Sequence, residues 1–448
     1  MPDPRKGPQE DAMETLIEMK AAVMDAIDAR ASDILALGNR VFQMPEMGYR
    51  EHDTAAMAAG VLRGLGLEVQ EGLAITGVKA IAPGLASRPC VGVFGEMDAV
   101  VCHAHPGAHA DTGAVHACGH NAQVAAMAGV AMGLIESGAI SHLDGSVRFM
   151  AVPAEEYVEM EARAHLRRRG RIAFFGGKQE MIHRGHLDDV DMAMMFHLDS
   201  DVPERRVRLC SASNGFIGKM IRYTGREAHA GSNPHRGINA LNAAMLGLMG
   251  IHVQRETFRD WDNIRVHPVL TKGGDLVNIV PSDVRMETYV RGNTMEAVAE
   301  ASAKVDRALQ AGAYAVGASV HIDNMPGYLP LEPDAELNRV FMENARAILG
   351  HDAVTPGSVM MGSTDMGDVT HIMPGIHPMV GGTTGQAHTR DFRIVDEEMA
   401  YIIPAKIMAM TVLDLLHPRG GRARAILGAF RARIARQGYA GEWERYIG

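Results

Sequence analysis

Cysteine is scarce in this chain: four residues in 448, at Cys90, Cys102, Cys118 and Cys210. So few in so long a chain exclude a disulfide framework and fit a reducing, cytoplasmic compartment, where a thiolate stays free to bind metal. Basic excess is also missing. The formal net charge is -10, which argues against nucleic acid or an anionic membrane as the main partner. No apolar run reaches spanning length, and the start, Met-Pro-Asp-Pro-Arg-Lys-Gly, shows no apolar stretch behind a basic head. Neither a membrane span nor a signal peptide is expected. Internal repeats and low-complexity stretches are absent.

Hydrophobic residues make up 47% of the chain and charged residues 22%, an ordinary globular balance. The length is too great for one ordinary core, so more than one domain is expected. The 31 methionines read first as adaptable core filler and second as the lining of an apolar pocket.

Residues 12–65 carry helical periodicity, interrupted at Pro45-Glu46-Met47-Gly48. Strand and helix then alternate. Val91–Phe94, Ser146–Val152 and Val190–Phe196 read as strands, and Ala122–Ile135 as a buried helix. That alternation predicts an α/β catalytic domain with a mostly parallel sheet flanked by helices. Asp98, Glu155 and His197 each follow closely after a strand, where sites in such sheets lie. From residue 212 the pattern changes. Strands at 215–223, 264–270, 282–290 and 318–323, with helices at 237–254 and 294–316, give the order β-α-β-β-α-β of a ferredoxin-like module. The expected domains are a catalytic domain over 1–211 and 326–417, an inserted ferredoxin-like α+β lid or dimerisation domain over 212–325, and an Arg-rich helical extension over 418–448. A helix is expected over 334–349, followed by a Gly-rich segment over 357–388.

The chemistry gathers around Cys118-Gly119-His120. Thiolate and imidazole both suit zinc and similar divalent ions, although such a triplet by itself is commonplace. Adjacent carboxylates at Glu155-Glu156 follow a strand, a costly placement unless they bind something. One can ligate a metal while the other moves protons. His197 follows another strand, and His388 lies in a Gly-rich loop whose backbone can come close to a site. Any one of these histidines alone is more often structural; together they point to a metal centre.

Several strings then resemble the M20 metallopeptidase and amidohydrolase family, in its branch with Cys-Gly-His in the metal motif, which includes aminobenzoyl-glutamate, hippurate and indoleacetyl-amino-acid hydrolases. Met44–Glu51 is similar to "NPELGxxE", Gly95–Ala99 to "DMDA" or "EYDA", His116–Asn121 to "HACGHD/N" and Asn278–Pro281 to "NVIP". Pro153–Glu156 matches "PAEE" and His229–Ala240 matches "HAGxxPHxGxNA". The likeness runs in order over residues 35–417. It implies Cys118, His120, Glu156, His197 and His388 as ligands of one or two divalent ions per subunit, Mn2+ or Zn2+. It implies Glu155 as general base toward a water that the metal activates, Asp98 as a residue orienting a ligand, and His229 as an oxyanion-stabilising group reaching the neighbouring subunit's site. Asn278 and Arg291 are expected to hold a substrate carboxylate or carbonyl; for Arg291 a plain surface charge at a strand end is the alternative. A homodimer or higher homo-oligomer acting on a small-molecule substrate follows.

The chain departs from that pattern in places. Val100-Val101 stand where Pro is usual after Asp-Ala. The loop 101–115 carries Cys102, His103, His105 and His109, read as a solvated rim. An extra stretch at 157–176, with Arg167, Arg168, Arg169 and Arg171, is expected to reshape the pocket. Gly362-Ser363-Thr364-Asp365 replaces "GSED". The leading expectation is hydrolysis of the amide C–N bond of a small N-acyl or N-aroyl amino acid. The alternative is hydrolytic deamination of an activated aromatic amine, of the nitroanthranilate aminohydrolase type; a small, aromatic-poor pocket with cationic residues would suit it. A non-catalytic ligand-binding relative is a third reading, and it predicts loss of Glu155 or of several ligands.

Overall fold

The computed structural model describes residues 8–209, 211–418 and 421–447. Cys210 and Arg419 lie outside the described residues. The strand Cys90–Glu96 is the centre of a six-stranded sheet. Parallel to it run Ser146–Val152 on one side and Met192–Met194 on the other, and Gly375–Ile376 continues the parallel order. Glu68–Leu73 and Gly77–Pro83, two strands the periodicity did not announce, add an antiparallel edge. Every residue of Cys90–Glu96 and of Ser146–Val152 is buried. Such continuous burial is what helices on both faces impose.

Helix His120–Glu136 packs against this sheet, and 15 of its 17 residues are buried. Its small residues let Ile403–Leu416 and the N-terminal helices approach closely; Gly129 and Gly133 face Ile34, Ile27 and Val23 with no room for a side chain. Glu398–Leu416 corrects one sequence expectation. It is a 19-residue stretch apolar enough to cross a membrane, with 94% of that stretch buried inside the protein. The helical run expected before the Pro45–Gly48 interruption is two helices, Pro8–Ala29 and Ala31–Gln43, and the run expected after it is His52–Gly64. The expected strand 190–196 is shortened to Met192–Met194, because His197–Leu198 leaves to pair with Met379–Val380 in a separate small sheet.

The order expected from residue 212 onward is present. Gly215–Thr224, Asp283–Gly292 and Ser319–Pro326 pair antiparallel along their lengths, with helices Ala240–Val253 and Met295–Val316 on the sheet. Both helices begin at side-chain caps: Asn239 accepts from Leu241 and Asn242 backbone N–H, and Thr294 from Ala297. The expected strand 264–270 is two short ones, Arg265–Val266 and Val269–Lys272; Pro268 between them offers no backbone donor.

The Arg-rich tail is more integrated than its composition implies. Within Tyr439–Ile447, Tyr439 and Trp443 are each 1% exposed. Their polar atoms both reach the buried carboxylate of Asp368, Tyr439 Oη at 2.6 Å and Trp443 Nε1 at 3.2 Å.

Candidate metal centre and substrate pocket

The carboxyl ends of the parallel strands deliver the candidate residues to one place. Glu96 ends its strand and Asp98 follows two residues later. Glu155-Glu156 follow Ser146–Val152, and His197 follows Met192–Met194. Gly119 adopts φ +84, and a Cβ there would strike Leu198 at 2.9 Å. Glycine therefore lets the chain turn so that Cys118 precedes the helix and His120 starts it. Ala154, just before the carboxylate pair, is held at φ 52, with its N–H donated to Glu51 Oε1 at 2.7 Å.

Two donor groups share Cys118: one with His120 and His197, the other with Glu156 and His388. Cys118 Sγ lies 3.3 Å from His197 Nε2 and 3.2 Å from His388 Nε2. Glu156 Oε1 lies 2.9 Å from His388 Nε2. Metal–ligand bonds of about 2.0–2.3 Å place neighbouring donors about 3 Å apart, so these separations fit a pair of divalent ions bridged by the thiolate. His120 supplies the sharper test of fit. Its Nδ1 donates to the Asp98 carbonyl at 2.8 Å, which leaves Nε2 as the bare, ligating nitrogen. That nitrogen is buried and makes no hydrogen bond.

The donors shift one another strongly: against burial, Glu96 and Cys118 raise the His120 imidazole, and Cys118 raises that of His197. Burial and the Glu156 carboxylate push the Cys118 thiol up, but His197, His388 and His120 outweigh them and bring it to about 6. Burial raises Glu156 too, yet the His388 imidazole holds it down at about 2. Glu155 is raised well above the usual carboxylate range by burial and by Glu96, Glu156 and Asp365. Asp98 accepts the Glu156 backbone N–H at 2.9 Å while its carbonyl orients His120.

Three charged residues with no role expected from the sequence complete the surroundings, two of them, Glu96 and Asp365, inside the motif strings. Glu96, Lys178 and Asp365 are all 0% exposed, and the Lys178 ammonium holds both carboxylates. The available signal was Glu96 itself, a charge at the end of an otherwise apolar strand. His377 is also buried beside the site, its ring 5.7 Å from that of His197.

A cavity of about 330 Å³ opens over Cys118, Glu155, Glu156, His197 and His388, within the range of small-molecule sites. Arg291 lines it, half-buried, so it is not a plain surface charge. Aromatic side chains are few, with Trp 2, Tyr 9 and Phe 11, yet Tyr157, Phe216, Tyr289 and Tyr328 all converge on this wall. The aromatic-poor pocket that would suit hydrolytic deamination is therefore not what this cavity offers. The 157–176 stretch contributes Tyr157 to the cavity, whereas Arg168, Arg169 and Arg171 are exposed. In the 101–115 loop, His105 is tied to the Phe392 carbonyl at 3.0 Å, and no histidine of that loop joins a donor group among the described residues. A larger cleft of about 690 Å³ beside helix Met160–Arg168 contains none of the donor residues.

His229 and Asn278 are not brought to this cavity within one chain. Both are exposed, and Ala230 N–H donates to the Asn278 carbonyl at 2.9 Å, so they share one loop cluster at the second sheet.

Residues 92–412 match the description of peptidase family M20/M25/M40. The chain is 28% identical over 429 residues to the human Xaa-Arg dipeptidase, covering 90% of this chain and 89% of that protein. It is 26% identical over 387 residues to IAA-amino acid hydrolase ILR1-like 2 of Arabidopsis thaliana, covering 82% of each. Its fold is similar to that of the Bacillus subtilis YXEP protein, a dinuclear metal-binding peptidase from the M20 family, with TM-score 0.65, 22% identity and coverage of 87% of this chain and 99% of that one.

Proposed function

Because the chain belongs to peptidase family M20/M25/M40 and is a hydrolase of that family, we propose that it cleaves the amide C–N bond of a small N-acyl or N-aroyl amino acid. The observation that carries this reading is the Cys118 thiolate shared by two donor groups beside Glu155 and Arg291, in one cavity. Cys118, His120 and His197 would hold one divalent ion, Mn2+ or Zn2+, and Cys118, Glu156 and His388 another; such an ion would lower the pKa of a bound water and polarise the scissile carbonyl. Glu155, with its raised proton affinity, takes the proton of the attacking water and returns it to the leaving nitrogen. Arg291 pairs with the substrate carboxylate, and the aromatic wall packs its acyl or aroyl group.

Residues 212–325 act in this reading as a lid and dimerisation domain between the two catalytic-domain segments, 1–211 and 326–417, with 418–448 as an Arg-rich helical extension. A homodimer is supported by an apolar exposed face: Met245, Leu246, Met249 and Val253 on helix Ala240–Val253, and Val269 and Leu270 on the edge strand. The exposed His229 and Asn278 then serve the neighbouring subunit's cavity. Free Cys90, Cys102 and Cys118 support a reducing, cytoplasmic location.

The second reading, hydrolytic release of ammonia from an activated aromatic amine, keeps one supporting observation: Arg291 supplies the cationic lining that a compact aromatic acid needs, although the wall is not aromatic-poor. The test is a panel of N-acyl amino acids, N-aroyl amino acids, dipeptides and nitro-substituted aminobenzoates, scored for amino acid, amine and ammonia. Amino-acid release from acyl or aroyl substrates supports the first reading. Ammonia release alone replaces it with the second.

A further inference from the structure

The two donor groups around Cys118 are joined by a third. Glu96, His120 and Glu155 present one donor atom each, all within 4.8 Å of one another. Glu96 Oε2 faces His120 Nε2 at 3.1 Å. This separation lies between those of the pairs already assigned to metal, 2.9 Å for Glu156 with His388 and 3.3 Å for Cys118 with His197.

The contact is not a satisfied hydrogen bond. His120 Nδ1 spends its proton on the Asp98 carbonyl, and Nε2 has no hydrogen-bond partner. A neutral ring there sets a lone pair against a carboxylate oxygen, two acceptors in contact inside a fully buried space, whereas a charged ring makes an ion pair with Glu96. A cation between them resolves the conflict. The remaining valences of Glu96 are already taken up. Lys178 holds Oε1, Gln123 Nε2 donates to Oε2 at 2.9 Å, and the Glu96 N–H donates back to Gln123 Oε1 at 3.0 Å. The carboxylate is thus aimed before any ion arrives. Lys178 is shared with Asp365, so one ammonium faces Glu96 and Asp365, with Glu155 alongside. Buried anionic charge in excess of its cation is strongly unfavourable, and a divalent ion restores the balance.

We propose that Glu96 is a metal ligand beside His120, held in its ligating orientation by Lys178 and Gln123. The proposal rests on reading the Cys118 cluster as a metal site, and it adds an oxygen donor at the His120 imidazole. Oxygen in the donor set shifts preference toward harder ions such as manganese relative to a purely sulfur and nitrogen site.

The test uses the whole protein, stripped of metal and titrated with Co2+, for the wild type, Glu96→Gln and Glu96→Asp, with thermal melts to establish that each is folded. Bound metal is counted by mass spectrometry of the elements, and the visible Co2+ absorption reports coordination. The expected result is loss of one Co2+ per chain in E96Q, or weakening by more than a hundredfold, together with changed band intensities. E96D, which keeps the charge but withdraws the oxygen, changes the spectrum in the same sense. An outer-sphere role costs only about 10–100-fold in affinity and leaves the bands unaltered. Unaltered bands in folded E96Q and E96D overturn the proposal and make Glu96 a partner of an imidazolium. A wild type that binds no Co2+ at all overturns the parent reading instead.

Discussion

The Arg291 guanidinium lies 5.3 Å from the centre of the Tyr289 ring, and 5.7 Å from that of Phe216. It forms no ion pair among the described residues, and burial pulls its proton affinity down. A desolvated, unpaired guanidinium held by aromatic faces is poised for an external carboxylate. Arg291→Ala is expected to raise KM for a carboxylate substrate by roughly 10–100-fold, as for loss of a charged hydrogen bond of about 1.5–3 kcal/mol. The corresponding methyl ester should be nearly indifferent to the change. Equal losses for acid and ester would remove Arg291 from substrate recognition.

Cys118 belongs to both assigned donor groups, whereas His388 belongs to one. Cys118→Ala should therefore lower bound metal by two ions per chain, and His388→Ala by one. Elemental analysis after dialysis decides the matter; identical stoichiometry in the two variants contradicts a bridging thiolate.

Glu155→Gln keeps the shape of the side chain and removes its basicity. Metal content should persist while kcat falls by about 10²–10⁴, the usual weight of a positioned general base. A variant with wild-type kcat would strip Glu155 of its assigned role.

Lys178 is the one ammonium between Glu96 and Asp365 in a fully buried cluster. Lys178→Met leaves both carboxylates uncompensated and should destabilise the metal-free protein by about 3–5 kcal/mol. Adding Asp365→Asn should restore part of that loss. Denaturant midpoints of the single and double variants measure the coupling, and strict additivity would mean that the pair does not interact.

Asp368 carries a pH dependence with a definite sign. Burial raises its carboxyl to about 7, partly offset by hydrogen bonds from Tyr439 and Gln179. The folded protein thus holds a proton that the unfolded chain releases near 4. Its contribution to stability is full below pH 4 and declines as pH rises through 7. Asp368→Asn should raise Tm more at pH 8 than at pH 5. The opposite ordering would show that the tail residues stabilise the charged form.

Much of the architecture was legible in the chain because burial repeats with a local period. Ser146–Val152 is a strand whose two faces are both covered, so its apolar run could be read directly. The helix expected from 294 starts there, where Thr294 caps it, whereas the one expected from 237 starts only at Ala240, after the Asn239 cap. The antiparallel edge at Glu68–Pro83 was not, because Glu68–Leu73 is mostly exposed and carries no apolar alternation. The ligand candidates were legible through short strings around Cys118 and Glu155.

Residue types set by themselves the kind of chemistry available here: a thiolate, imidazoles and paired carboxylates for a divalent ion, in a chain of net acidic charge and few cysteines. Their meeting is a different matter. Cys118 and His388 are 270 positions apart, and Lys178 and Asp365 are 187 apart. Glu96 faces His120 only because the helix beginning at His120 packs along the strand Cys90–Glu96, with its first turn beside the strand's last residues. The sparse aromatic residues likewise form one wall only when the strands Gly215–Thr224 and Asp283–Gly292 bring Phe216 and Tyr289 beside Tyr157. Contacts of that range are chosen by the burial of whole sheets and helices, which no local window contains.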